Sequence, residues 1–177
     1  MLKVAGGKYR SRQLAVPSQC TVPTKSMVRE AISNAVSPLI PGARVLDLFA
    51  GSGALGIEML SRGAKEAIFV DRSPEAARVI ESNLASLKEN AGKVLCQDFR
   101  SALSSFDKPF DLVLLDPPYA ELSWYGEALT ELWERSLIKE GGAVVMEYEQ
   151  EPPFEGGHFS RIRTYRYGRT KVIILWR

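Results

Sequence analysis

Beyond residue 43 the chain alternates between two hydrophobic rhythms. Runs of consecutive apolar residues fall at 44–49 (RVLDLF), 67–70 (AIFV), 94–96, 110–115 (FDLVLL) and 143–146 (AVVM), and each reads as a buried strand. Between them, apolar residues recur every three or four positions, as on one face of a helix. These helical stretches cover 54–62, a segment opening at Pro74 with Ser73 as its cap and Ala76, Ile80, Leu84 and Leu87 as its buried stripe, then 101–106 and 125–137. Two further strands, 159–167 and 171–176, are joined by Gly168 and Arg169 and close the chain as a hairpin. Ahead of this pattern, residues 2–16 read as turns or a small hairpin. Met27, Val28, Ala31, Ile32, Ala35 and Val36 then place an amphipathic helix over 25–37, opened by Thr24 and ended by Pro38 and Pro41.

Regular strand–helix alternation predicts an α/β fold: a doubly wound, mostly parallel sheet of seven strands, Rossmann-like, with an antiparallel pair at the C-terminus. The division expected is an N-terminal extension over 1–40 and the main domain over 41–177. In such sheets ligands bind beyond the carboxyl ends of the strands, where the strand order reverses. Chemistry is therefore sought in the loops after Phe49, Val70, Cys96 and Leu115.

The first loop, Asp47-Leu48-Phe49-Ala50-Gly51-Ser52-Gly53-Ala54-Leu55-Gly56, contains GxGxxG between a strand and a helix. Nicotinamide dinucleotide sites share this pattern, and so do plain tight turns. Asp47 argues against a diphosphate, which a carboxylate just before the glycines would repel. A ligand with a cationic amino end and no phosphate is favoured, and S-adenosylmethionine is one. Asp71 then accepts from ribose hydroxyls. Asp98, in CQDF, accepts from the adenine amino group with Phe99 beside the ring, or caps the next helix, or does both.

After the fourth strand stands Asp116-Pro117-Pro118-Tyr119. Two prolines stiffen the backbone and remove two N–H donors, leaving a surface rich in acceptors. The Asp116 carboxylate and the Pro117 carbonyl suit the exocyclic amino group of a planar base, and Tyr119 can stack on its ring. Such a base must be unstacked, because its amino group is out of reach inside a duplex.

Composition narrows the picture by exclusion. The 177 residues are 45% hydrophobic and 25% charged, the mix of a globular domain. No apolar run spans a bilayer, no signal peptide is visible, and a cytoplasmic protein is expected. Cys20, Cys96 and the single His158 have no metal-binding spacing, so no metal is expected. Charge is uneven. Residues 1–36 carry six Lys/Arg against Glu30, and 156–177 carry six with no acid, giving +5 and +6; the overall +2 leaves −9 between them. Basic ends around an acidic body fit a phosphate-rich partner beside a cationic ligand. Tyr165, Tyr167 and Trp176 read as sheet-face residues. Trp124 and Tyr125 read either as a lid over the base or as an ordinary helix start.

DLFAGSGALGIE, VDRS and LLDPPY together resemble a class I S-adenosylmethionine-dependent methyltransferase acting on an amino nitrogen. GGKYRSRQL, PTKSMVREAISNAV and YRYGRTKVIILW are similar to the bacterial 16S ribosomal RNA guanine-N2 methyltransferase family, RsmD, over nearly the whole chain. The resemblance implies that Asp47, Phe49, Ala50, Gly51, Ser52 and Gly53 bind the methionine part of S-adenosylmethionine. Asp71, Arg72 and Ser73 then border the ribose, and Asp98 and Phe99 the adenine. Asp116, Pro117, Pro118 and Tyr119 act on the guanine. Arg10, Arg12, Thr24, Arg29, Arg166 and Arg169 contact RNA, with 16S ribosomal RNA or the small subunit as partner and a monomer as the working form. In the family a glycine usually separates the two N-terminal arginines, where this chain has Ser11, and an arginine often precedes the Pro-Thr pair, where it has Val22. The main alternatives are methyl transfer to adenine N6 of DNA or RNA, a binding module without catalysis, and an NAD-dependent dehydrogenase.

Overall fold

A computed structural model describes residues 2–18, 26–152, 154 and 157–177. Five strands form the parallel part of the sheet: β3 (Arg44–Asp47), β4 (Glu66–Asp71), β5 (Gly92–Cys96), β6 (Phe110–Leu115) and β7 (Ile138–Tyr148). The chain ends in β8 (Arg161–Tyr167) and β9 (Thr170–Trp176). Strand order is β5-β4-β3-β6-β7-β9-β8, with β9 antiparallel to β7 and β8 antiparallel to β9. The seven-stranded, mostly parallel sheet and its antiparallel C-terminal pair are as the pattern predicts. Strand order reverses between β3 and β6, which opens a crevice above their carboxyl ends.

Side chains alternate between two cores. Val45, Leu112, Leu114 and Val145 face α1 (Ser26–Ala35), α2 (Ala54–Ser61) and α3 (Pro74–Leu87). Leu46, Val113, Leu115 and Val144 face α4 (Phe99–Ser105) and α5 (Ser123–Glu134). The two-residue period of a strand thus feeds helices on both faces.

The main boundary difference is β7, expected at 143–146 and observed as Ile138–Tyr148. Its first half contains Gly141 and Gly142 and a register shift opposite Phe110 and Leu112. A Cβ on Gly142 would stand 2.8 Å from the Asp111 and Lys139 carbonyls, so position 142 is held to glycine, and this irregular stretch shows no apolar alternation.

The N-terminal extension pairs β1 (Leu2–Lys3) with β2 (Gln13–Leu14) and packs on α2 and α3. Glu58 is fully buried on α2. Its carboxylate accepts from the Ala5 and Gly6 N–H groups, each at 2.8 Å, and from Arg62 Nε at 2.9 Å. Gly7 lies so close to α2 that a Cβ there would stand 2.0 Å from the Ser61 carbonyl oxygen. Ser11, in the turn between β1 and β2, has φ 68, the left-handed region that favours glycine.

Candidate active site

The crevice holds a cavity of about 350 Å³, within the range of small-ligand sites. The loops after β3, β4, β5 and β6 all open into it. Asp47, Phe49, Ala50, Gly51, Ser52, Asp71, Arg72, Ser73, Asp98 and Phe99 line it, and so do Asp116, Pro117, Pro118 and Tyr119. Gly53 stands just behind as the N-cap of α2, with φ 74.

Three side chains hold the glycine loop in shape. Asp71 accepts from the Gly51 N–H at 2.9 Å and from the Ser73 N–H at 2.8 Å. Asn83, buried in α3, donates to the Ser52 carbonyl at 3.1 Å. Asp47 accepts from the Gly56 N–H at 2.9 Å. This last bond has an electrostatic consequence. Gly56 lies in the first turn of α2, the position from which a glycine loop ordinarily presents N–H groups to phosphate. Here a protein carboxylate already fills that role. Asp47 is 4% exposed, and burial pushes its carboxyl up to about 7; the Asp71 charge adds to the rise and the Gly56 bond opposes it. A bound cation would draw this proton off and be held by the resulting carboxylate, whereas a diphosphate would meet only repulsion.

The opposite wall is aromatic. Phe49 stacks on Trp124 with centroids 5.8 Å apart and planes 20° apart, and Phe99 meets Phe49 at 5.1 Å and Trp124 at 5.3 Å. Arg72 lies over the Trp124 ring at 4.9 Å and Arg100 over Phe99 at 4.3 Å. Asp98 caps α4 by accepting from the Arg100 N–H at 2.9 Å, as one of its readings expects, and also lines the cavity.

The Asp116–Tyr119 segment faces the crevice. Glu121 N–H donates to the Pro118 carbonyl at 2.8 Å, which turns the loop towards α5. Tyr119 is 43% exposed. Burial, then the charges of Asp116, Glu149 and Glu147, push its phenol up to about 12, so it stays neutral at physiological pH. Trp124 and Tyr125 begin α5, the second of their two sequence readings. Trp124 belongs to the aromatic wall, and Tyr125 is buried with its hydroxyl donating to the Glu147 carbonyl.

The structure revises the basic set. Arg29 is 1% exposed, and its guanidinium donates to the Lys3 carbonyl at 2.7 Å and to Ser26 Oγ at 3.3 Å. Burial pulls its pKa below the ordinary arginine value, and the charges of Glu58 and Glu147 oppose that fall. It ties α1 to the extension and presents no surface charge to phosphate, contrary to expectation. Arg12 donates to the Ser86 carbonyl in the last turn of α3, and Arg10 is exposed on the same turn-bearing extension. A helix of 14 residues separates Ser86 from the rim, about 20 Å away. Arg166 pairs with Lys171, which pairs with Tyr148 at the rim, and Arg169 lies in the turn beyond. Both are exposed, at the end of the sheet on which the crevice opens. Tyr165, Tyr167 and Trp176 pack against the core, as expected of sheet-face residues. Thr24, Cys20 and Val22 lie outside the described residues.

Sequence reasoning missed Asn83 as a builder of the site, together with Pro17, Gln97 and Glu75 in the lining. Asn83 carried a signal, a polar residue beside Leu84 on the buried stripe. Among the described residues no group of His, Cys, Asp and Glu could hold a metal ion, and no helix is long and apolar enough to cross a membrane.

The family described as Conserved hypothetical protein 95 matches residues 2–176. The chain is 39% identical to the Bacillus subtilis protein YlbH, covering 98% of this chain and 97% of that one. It is 33% identical to "Ribosomal RNA small subunit methyltransferase D" of Escherichia coli K12, covering 85% of this chain and 76% of that one. The solved structure of Escherichia coli yhhF superposes with a TM-score of 0.88 at 30% identity, over 99% of this chain and 97% of the other.

Proposed function

The chain belongs to the family described as Conserved hypothetical protein 95, and from that premise we propose that it transfers a methyl group from S-adenosylmethionine to the exocyclic N2 of a guanine in small-subunit ribosomal RNA. The observation that carries the reading is one cavity lined both by the glycine loop and its carboxylates and by Asp116, Pro117, Pro118 and Tyr119. The name of the Escherichia coli relative supports the substrate class.

The residues present fit the donor. Asp47 at the first turn of α2 offers a carboxylate to an α-amino group and closes that turn to phosphate. Asp71 keeps lone pairs for ribose hydroxyls while bonding Gly51 and Ser73. The Phe49, Phe99 and Trp124 wall with Asp98 at its edge suits adenine. When bound, S-adenosylmethionine supplies a methyl group activated by its sulfonium charge.

The chain's own task is to prepare the amine. The lone pair of an exocyclic amino group is conjugated into the ring, which makes it a poor nucleophile. Asp116 and the Pro117 carbonyl accept from its two N–H groups, favour a pyramidal nitrogen and stabilise the positive charge that develops there. Tyr119 stacks on the base and fixes the line of attack. The methylated nitrogen then sheds a proton towards Asp116 or solvent. Arg166 and Arg169, at the end of the sheet on which the crevice opens, and the extension over 1–40 take RNA phosphates, which position the substrate without reading sequence.

Nucleoside mass spectrometry of small-subunit RNA, before and after treatment with the protein and S-adenosylmethionine, tests the proposal. One new N2-methylguanine is expected. N6-methyladenine, or no methylated nucleoside, would refute it.

A further inference from the structure

We propose that Glu149 is a specificity-determining residue that reads the ring N1–H of the target guanine, beside the amino group held at Asp116. The inference rests on the guanine-methyltransferase reading and deepens it.

A second cavity of about 50 Å³ is lined by Tyr119, Leu122, Tyr125, Tyr148, Glu149 and Gln150. Tyr119 lines both cavities, so a base stacked on its ring lies next to the residues of the second. The strand register brings the acidic groups to the same edge. Leu115 of β6 pairs with Met146 of β7 in parallel. Asp116 directly follows the end of β6 and Glu149 directly follows the end of β7, so both leave neighbouring parallel strands at the same edge of the sheet. Asp116, Glu149 and Glu147 all lie within electrostatic reach of the Tyr119 hydroxyl, whose phenol burial first and then their charges push up. Glu147 is buried and Glu149 exposed, so Glu149 is the one open to a ligand.

Base chemistry explains what a second acceptor beside Asp116 would do. Guanine presents two adjacent donors, its 2-amino group and N1–H, followed by the O6 acceptor. Adenine presents a lone pair at N1 beside its amino group. The Asp-Pro-Pro-Tyr loop by itself serves either base, since both offer an NH2. A carboxylate facing N1 bonds guanine and repels adenine. Gln150, next in the lining, carries the amide donor that O6 requires.

The test pairs a change in the protein with a change in the base. The methylated guanosine is first mapped with wild-type enzyme. That position in the RNA is then made as 2-aminopurine riboside, which keeps the 2-amino group and lacks N1–H. Wild type should prefer guanine by about 100-fold in kcat/KM, as sites built around a substrate hydrogen bond do. Glu149→Ala should lose most of its rate on guanine, about 30-fold or more, and keep its rate on 2-aminopurine within about threefold, so that the preference collapses. Glu149→Gln, whose amide can donate to the N1 lone pair, should act on 2-aminopurine faster than wild type. S-adenosylhomocysteine should bind all three proteins equally by calorimetry, because Glu149 does not line the first cavity. An unchanged guanine to 2-aminopurine ratio in Glu149→Ala would overturn the proposal and leave the methyltransferase reading intact. If wild type yields no N2-methylguanine at the mapping stage, the reading and the proposal fall together, before any variant is made.

Discussion

Replacing Asp47 by asparagine separates the cost of a buried carboxyl from its use. In the folded protein burial pushes this group from 3.8 up to about 7. A raised carboxyl means that the folded state holds the proton more tightly than the unfolded chain. The contribution of Asp47 to stability is therefore greatest at low pH and falls as pH rises from about 4 to 7. At about 1.36 kcal/mol per unit, the loss approaches ~4 kcal/mol above pH 7, an upper bound that relaxation and water in the crevice reduce. Asparagine keeps an acceptor for the Gly56 N–H and carries no charge. Urea melts of ligand-free protein should show Asp47→Asn matching wild type near pH 4.5 and exceeding it by about 2–4 kcal/mol at pH 8. The same proton governs binding of a cationic amine. Wild-type affinity for S-adenosylhomocysteine should rise about eightfold from pH 6 to pH 7.5 as Asp47 ionises, while the variant binds weakly and without that dependence. A stability difference that does not change with pH, or a wild-type affinity flat across this range, would refute the reasoning.

The remaining predictions concern catalysis and the extension. Asp116→Ala should lower kcat by about 10²–10³ with S-adenosylhomocysteine still bound, read by methyl-transfer rate and calorimetry. Trp124→Ala removes the ring packed on Phe49 and Phe99; thermal melts should show a loss of about 3–5 kcal/mol, and calorimetry weaker binding of S-adenosylhomocysteine. Ser11→Gly relieves a left-handed backbone at φ 68 and should raise stability by about 1 kcal/mol in denaturant titration. Glu58→Ala strands the Ala5 and Gly6 N–H groups and should cost about 3 kcal/mol, with faster amide exchange in the extension.

Where a residue's role depends on neighbours in sequence, that role was legible beforehand. β6, apolar but for Asp111, matched its predicted bounds, and the loops after four parallel strands placed the carboxylates, the glycines and Asp116 around one crevice. Where a role depends on a distant partner, it was hidden. Arg29 looks like a surface cation on an amphipathic helix until Lys3, Glu58 and Glu147 surround it. Arg12 and Arg166 look equivalent in a charge count, yet one caps the foot of α3 and the other stands at the rim. Trp124 follows the Asp-Pro-Pro-Tyr loop by a few residues and would suit a lid; the turn at Glu121 instead sends it to the wall beside Phe49 and Phe99. Ser11 illustrates the reverse case. A departure from the family's glycine is visible in the letters, and its meaning, a strained turn, is visible only in the backbone angle.

The outermost strand carries one more consequence. β8 is bonded to β9 on one side, and Arg161, Arg163 and Arg166 recur along it, all exposed, around an exposed Ile162. Two molecules aligning these margins would bring like guanidinium groups together, so the row works as a guard against self-association and fibril growth. Its charge serves colloidal solubility as well, and neutralising Arg161 and Arg163 should shorten the shelf life of a concentrated solution.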